Sequence, residues 1–187
     1  MSANRSSICR VTSKPATGLL VVLLLCFTLL NYQLGAKSFW VDELFTVQVV
    51  TMPLSRIPAI VAADLHPPLY FLAAGLWSRL SGESEFALRW LSIVAAMIGL
   101  CLTYQLGIRL GTHRTALICT ACLAFSPFFI EFSRMARYYS WTLAWGTLAT
   151  LLMISAWSSD RMRLWVAYSL ALVLLLYTFY LGTLLFL

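Results

Sequence analysis

Acidic residues are scarce in this chain: seven Asp and Glu stand among 187 residues, beside thirteen Lys and Arg. Charged residues make up 11% of the total, where a typical soluble domain carries about 25%. With 61% hydrophobic residues, that scarcity excludes both an ordinary soluble domain and a charge-rich disordered chain. No basic run with interleaved aromatics occurs, so the net charge of +6 gives no reason to expect nucleic acid as a partner. In a membrane protein such a balance reflects Lys and Arg on cytoplasmic loops. Internal repeats, low-complexity tracts and a soluble domain are all lacking. The cysteines are Cys9, Cys26, Cys101, Cys119 and Cys122. Cys119 and Cys122 form a C-x-x-C inside an apolar stretch with no second pair nearby, so they read as small packing residues rather than a disulfide, zinc or redox site.

What the chain does have is long runs free of Asp, Glu, Lys, Arg and His: residues 15–36, 90–108, 115–130, 138–159 and 164–187. Roughly 20 apolar residues in a helix cross the ~30 Å hydrocarbon core. Backbone groups in lipid must be satisfied within the segment, so each run is expected to be helical. The expectation is an all-α, polytopic transmembrane bundle in an inner or plasma membrane. Arg5, Arg10 and Lys14 precede the first run, and "QLGAKS" lacks the small residue a signal-peptide cleavage site needs. Residues 1–15 therefore read as a cytoplasmic N-terminus and about 16–36 as an uncleaved anchor. Residues 37–66 are too charged to span and too apolar for a free loop. Short helices lying in the interface, limited by Pro53 and Pro58, would fit them. Residues 67–78 are too short to span comfortably, which makes 37–89 one outer loop. The next helices are expected at about 90–108, 115–132 and 140–157, with Ser126-Pro127 kinking the third. Six of the seven acids then lie outside. The last run reaches Leu187 without a flanking charge, so the chain is read as a fragment of a longer protein.

In that topology Asp42 and Glu43, His66, Glu131, and Arg134 with Arg137 and Tyr138 share the outer face. Arg134, Arg137 and Tyr138 are spaced i, i+3, i+4, which on a helix presents two guanidinium forks and a phenol together. Guanidinium suits phosphate through planar paired donors, and a nearby carboxylate suits general-base work on an acceptor hydroxyl or amine. Each group also has an ordinary reading. Asp42 and Glu43 would serve as solvated loop acids, His66 as a turn cap before two prolines, and the arginines as headgroup-snorkelling flanks. Lys37, Arg56, Arg79 and Arg89 read as interface anchors or as partners of nearby acids.

Taken together, "WVDE" (40–43), "HPPLYF" (66–71), "SEFALRWLS" (84–92) and "SPFFIEFSRMARYYSW" (126–141) resemble the C-type glycosyltransferase superfamily. The likeness is to bacterial members related to protein O-mannosyltransferases and to the aminoarabinose transferase of lipid A. It covers about residues 17–187, the N-terminal part of such an enzyme. The resemblance implies an inverting transfer of a sugar from a polyprenyl-phosphate donor on the extracytoplasmic side. The acceptor would be a glycan, lipid or protein. It implies Asp42 as the catalytic base, Glu43 in a supporting or metal-linked role, and His66 near the donor phosphate. Arg137 and Tyr138 match its "A-R-x-Y" pattern near the lipid phosphate, while Arg134 occupies a more variable position. One acid pair with a histidine does not argue for a bound ion, so the need for a divalent metal stays open. Two rivals stand beside this reading. One is a transporter or flippase, for which charge within the helices would be expected; the other is an inactive truncated relative.

Overall fold

The computed structural model describes residues 14–159 and 161–186, and they are helical almost throughout. The expected cytoplasmic segment, including Arg5 and Arg10, lies almost entirely outside the described residues, as does Cys9. The helices are α1 (Lys14–Asn31), α2 (Val41–Val50), α3 (Ile57–Ala63), α4 (Leu69–Ser81), α5 (Glu85–Leu110), α6 (His113–Ala124), α7 (Pro127–Ser133), α8 (Tyr139–Ser159) and α9 (Met162–Thr178), followed by a 3₁₀ turn at Tyr180–Phe186. This is the all-α fold expected. By length and composition α5 can cross a membrane, and α6 with α7 forms a second candidate if the pair is one span bent by 62°. At 13 residues, α4 rises only about 20 Å, short of a hydrocarbon core.

Local chemistry sets the element ends. The loop after α1 becomes two short helices, because Thr51-Met52-Pro53 ends α2 and Pro58 occupies the first turn of α3. Gly82 turns the chain out of α4 at φ 84°, a conformation glycine adopts without a Cβ penalty. The Ser84 hydroxyl accepts the Ala87 N–H at 3.2 Å and caps α5. The break between α6 and α7 falls at Phe125-Ser126-Pro127, at the proline expected to bend this stretch, and the two helices are bent by 62°.

The long α5 is the centre of the fold and packs against α1, α4, α6, α7 and α8, with α9 laid on α8. Close approach relies on small residues. A Cβ added at Gly107 would stand 2.7 Å from the Ala116 Cα and 2.8 Å from its Cβ, leaving α5 and α6 no room to absorb it. Gly107→Ala is therefore expected to lower the detergent melting temperature, with a cost of about 1–3 kcal/mol as for other overpacked sites. One core gathers Cys26, Leu30, Ile93, Leu100, Ala124 and Phe129 where α1, α5, α6 and α7 meet. The other gathers Val49, Ile57, Val61, Tyr70, Phe71 and Leu88 around the short helices. Leu20, Leu24 and Leu25 of α1 and Val166 and Leu170 of α9 are half exposed or more, and Cys119 and Cys122 on α6 are also exposed.

Candidate active site at the turn between α7 and α8

The site is organised by a buried ion pair. Glu43 is 1% exposed and Arg89 5%. Arg89 Nε donates to Glu43 Oε1 at 2.9 Å and Nη2 donates to Oε2 at 2.7 Å, a two-pronged fork. The same carboxylate accepts the Ala136 N–H on Oε1 at 2.8 Å and the Trp40 N–H on Oε2 at 3.0 Å. Arg89 also donates to the carbonyls of Leu34 and Lys37, both at 2.8 Å, and of Ser38 at 3.1 Å. Five polar partners thus tie the start of α2, the loop before it, α5 and the α7–α8 turn into one knot. Burial pushes the Glu43 carboxyl up, but the bonds from Arg89, Ala136 and Trp40 outweigh this and hold it below the usual glutamate range.

This geometry corrects one expectation. Arg134, Arg137 and Tyr138 do not lie on a helix face, because α7 ends at Ser133 and α8 begins at Tyr139. The physical cause is competition for backbone groups. The Ala136 N–H goes to Glu43, the Ala136 carbonyl accepts the Thr46 hydroxyl at 2.9 Å, and the Arg137 carbonyl accepts the Ser92 hydroxyl at 3.1 Å. With those groups satisfied by side chains from distant helices, the helical ladder is not needed to pair them. The turn sends the two arginines to different neighbours. Arg134 reaches the Tyr32 carbonyl at 2.7 Å and lines a separate cleft with Lys37, Trp40 and Glu131.

Arg137 instead turns toward Asp42 and His66. Its Nη1 donates to the Asp42 carbonyl and its Nη2 meets His66 Nε2, each at 3.2 Å. Its guanidinium lies over the rings of Tyr138 at 5.0 Å and Phe71 at 5.9 Å, within cation–π range. Arg137 is 5% exposed. Among the described residues no carboxylate lies within ion-pair distance of it, and its Nε has no hydrogen-bond partner. His66 follows α3 through a left-handed Leu65 (φ 56°). The His66 N–H bonds to the Val61 carbonyl at 2.9 Å and the Leu65 N–H to the Ala62 carbonyl at 3.1 Å, the double bond of a Schellman cap. Leucine there is strained by a few kcal/mol at most, and the cap fixes where the imidazole stands. Arginine cannot accept, so His66 Nε2 must be the acceptor. His66 Nδ1–H is then the donor to the Asp64 carbonyl at 2.8 Å and to its Oδ2 at 3.0 Å.

The Asp42 side chain is exposed in the first turn of α2. Burial pushes the Tyr138 phenol up, and Asp42 and Tyr139 push the same way against Arg137. Tyr138 therefore stays protonated at neutral pH as a donor. Of the residues the sequence singles out, Asp42, His66, Arg137 and Tyr138 come together, while Glu43 lies beneath them and Arg134 beside them. Thr46, Ser92 and the specific role of Arg89 are found only in the fold. Arg89 had a visible signal, a lone cation one turn inside the long apolar helix. A metal-linked role does not fit Glu43, because both of its oxygens already accept two hydrogen bonds each. Among the described residues no group of three His, Cys, Asp or Glu side chains could hold a metal ion.

No curated protein and no solved structure matches this chain significantly. The model of one protein family does, over residues 65–187, well over half of the chain and including His66, Arg89, Arg137 and Tyr138. The chain belongs to the dolichyl-phosphate-mannose-protein mannosyltransferase family, of the C-type glycosyltransferases.

Proposed function

We propose that the protein is a multi-pass membrane glycosyltransferase that moves a sugar from a polyprenyl-phosphate donor to an acceptor at the extracytoplasmic surface. Asp42 takes the proton of the acceptor hydroxyl as that oxygen attacks the anomeric carbon. The bond from that carbon to the phosphate oxygen breaks on the opposite side, so the sugar inverts and the polyprenyl phosphate leaves with the electron pair. Arg137 and Tyr138 stabilise the negative charge as it develops. His66 accepts from Arg137 and fixes the direction of the guanidinium.

The observation that carries this reading is Arg137. A guanidinium this buried is costly to leave without an anion. Among the described residues Arg137 meets a carbonyl, an imidazole, the Tyr138 side chain and the Phe71 ring but no carboxylate, which leaves the place of an anion open beside an exposed carboxylate. A phosphate ester is the anion that matches a planar paired donor. The site also lies next to helices with exposed apolar faces, where a lipid-linked donor is retained.

The test is release of polyprenyl phosphate from a polyprenyl-phosphate mannose donor by the protein in nanodiscs. Arg137→Ala is expected to weaken donor binding by about 10- to 100-fold, the range for a hydrogen bond to a charged group. Arg137→Lys should recover part of that, since it restores charge without the fork. Donor affinity that is unchanged in Arg137→Ala would remove the phosphate assignment.

A further inference from the structure

A second polar cleft, of about 70 Å³, is lined in part by the Glu43–Arg89 pair and does not include Arg137. That is room for several water-sized groups. Its walls hold Gln33, Lys37, Trp40, Glu131 and Arg134. Trp40 is 63% exposed, and its backbone N–H is held to Glu43. The side chains of Lys37, Glu131 and Gln33 make no hydrogen bond or ion pair within the described structure, and the Arg134 guanidinium spends one N–H on the Tyr32 carbonyl. The catalytic scheme above uses none of them.

The chemistry of this set favours one ligand class. A phosphate needs donors alone, and the Glu131 carboxylate would repel it. An apolar chain would leave four polar groups unpaired. Sugar hydroxyls both donate and accept, so they can satisfy Glu131 and the cationic and amide donors at once. An exposed indole offers a flat apolar face for the C–H side of a pyranose. Trp40 and Glu43, both in the wall of the cleft, flank the proposed base Asp42 in sequence at the start of α2.

We infer that this cleft is a carbohydrate-binding subsite and that it receives a hydroxyl-bearing sugar of the acceptor. That the sugar is the acceptor's rests on the transfer reading; that the cleft binds sugar does not. The test is saturation-transfer NMR on the full chain in nanodiscs, with methyl α-mannopyranoside and methyl β-glucopyranoside as probes and a serine/threonine peptide as comparison. Saturation of at least one glycoside is expected for the wild type and for Arg137→Ala. It should fall at least 5-fold in Trp40→Ala and in Glu131→Gln. Glu131 is exposed and unpartnered, so its variant reports on binding even if Trp40→Ala folds poorly. Equal saturation in Glu131→Gln and wild type would overturn the inference, as would loss in Arg137→Ala alone or the peptide binding in place of the sugars. Sugar binding that depends on the cleft, in a protein releasing no polyprenyl phosphate, would retain the subsite and remove the transfer reading.

Discussion

Asp42→Asn is expected to cut sugar transfer by at least about 100-fold while leaving the protein folded and in the membrane. A positioned general base contributes roughly 10²–10⁴-fold, and asparagine cannot accept the acceptor's proton. The fold should be indifferent to the change. The Asp42 side chain is exposed, and the only bond the residue makes to Arg137 uses its backbone carbonyl, which Asn keeps. The loss should therefore fall on kcat, with the KM for a polyprenyl-phosphate mannose donor within a few-fold of wild type. Asn also removes one negative neighbour of Tyr138, so the phenol should titrate lower than in the wild type. A variant that turns over at the normal rate, or one that loses activity through a lowered melting temperature, would remove Asp42 from the role of base.

The helices were legible because runs without charge leave the backbone no alternative in an apolar setting; α8 follows its expected limits closely, α5 starts at Glu85, ahead of the expected residue 90, and short helices fill the segment before it as expected. The α7–α8 turn was not. Residues 134–138 carry helical spacing, and nothing near them in sequence breaks it. The helix is interrupted by a carboxylate 93 positions earlier that takes the Ala136 N–H, and by hydroxyls of Thr46 and Ser92 that take the neighbouring carbonyls. Periodicity counts residues within a window and is blind to a side chain arriving from outside it. The same limit applies to the acid pair. Adjacent carboxylates in "WVDE" look equivalent, yet consecutive positions of a helix point about 100° apart. One therefore faces solvent and the other meets Arg89. The resemblance implies different roles for them, while their different surroundings, a saturated Glu43 beside an exposed Asp42, appear only once Arg89 of α5 reaches Glu43 of α2.

That saturation sets the largest expected stability effect. Arg89→Met leaves the Glu43 carboxylate buried without its partner, and removing one member of a buried pair costs about 3–5 kcal/mol. For a chain of this size that is a drop of roughly 6–20 °C in melting temperature. In many proteins replacing both members of such a pair with apolar residues recovers stability. Here the double variant Glu43→Leu/Arg89→Met should recover little. It orphans the N–H groups of Trp40 and Ala136 and the carbonyls of Leu34, Lys37 and Ser38, at about 1–3 kcal/mol for each one left buried. The pH dependence follows from the same contacts. Because folding lowers the Glu43 pKa, the unfolded chain binds its proton more readily. The stabilisation is complete above the ordinary glutamate range and is lost as pH falls through the lower folded value. Melting of the wild type in detergent should decline across that acid window, and Glu43→Gln should flatten the decline. A double variant as stable as wild type would reduce Glu43 and Arg89 to a simple ion pair. A double variant that stays destabilised, and loses donor binding as residues 134–138 come loose, identifies the pair as the anchor that aims Arg137 at the phosphate.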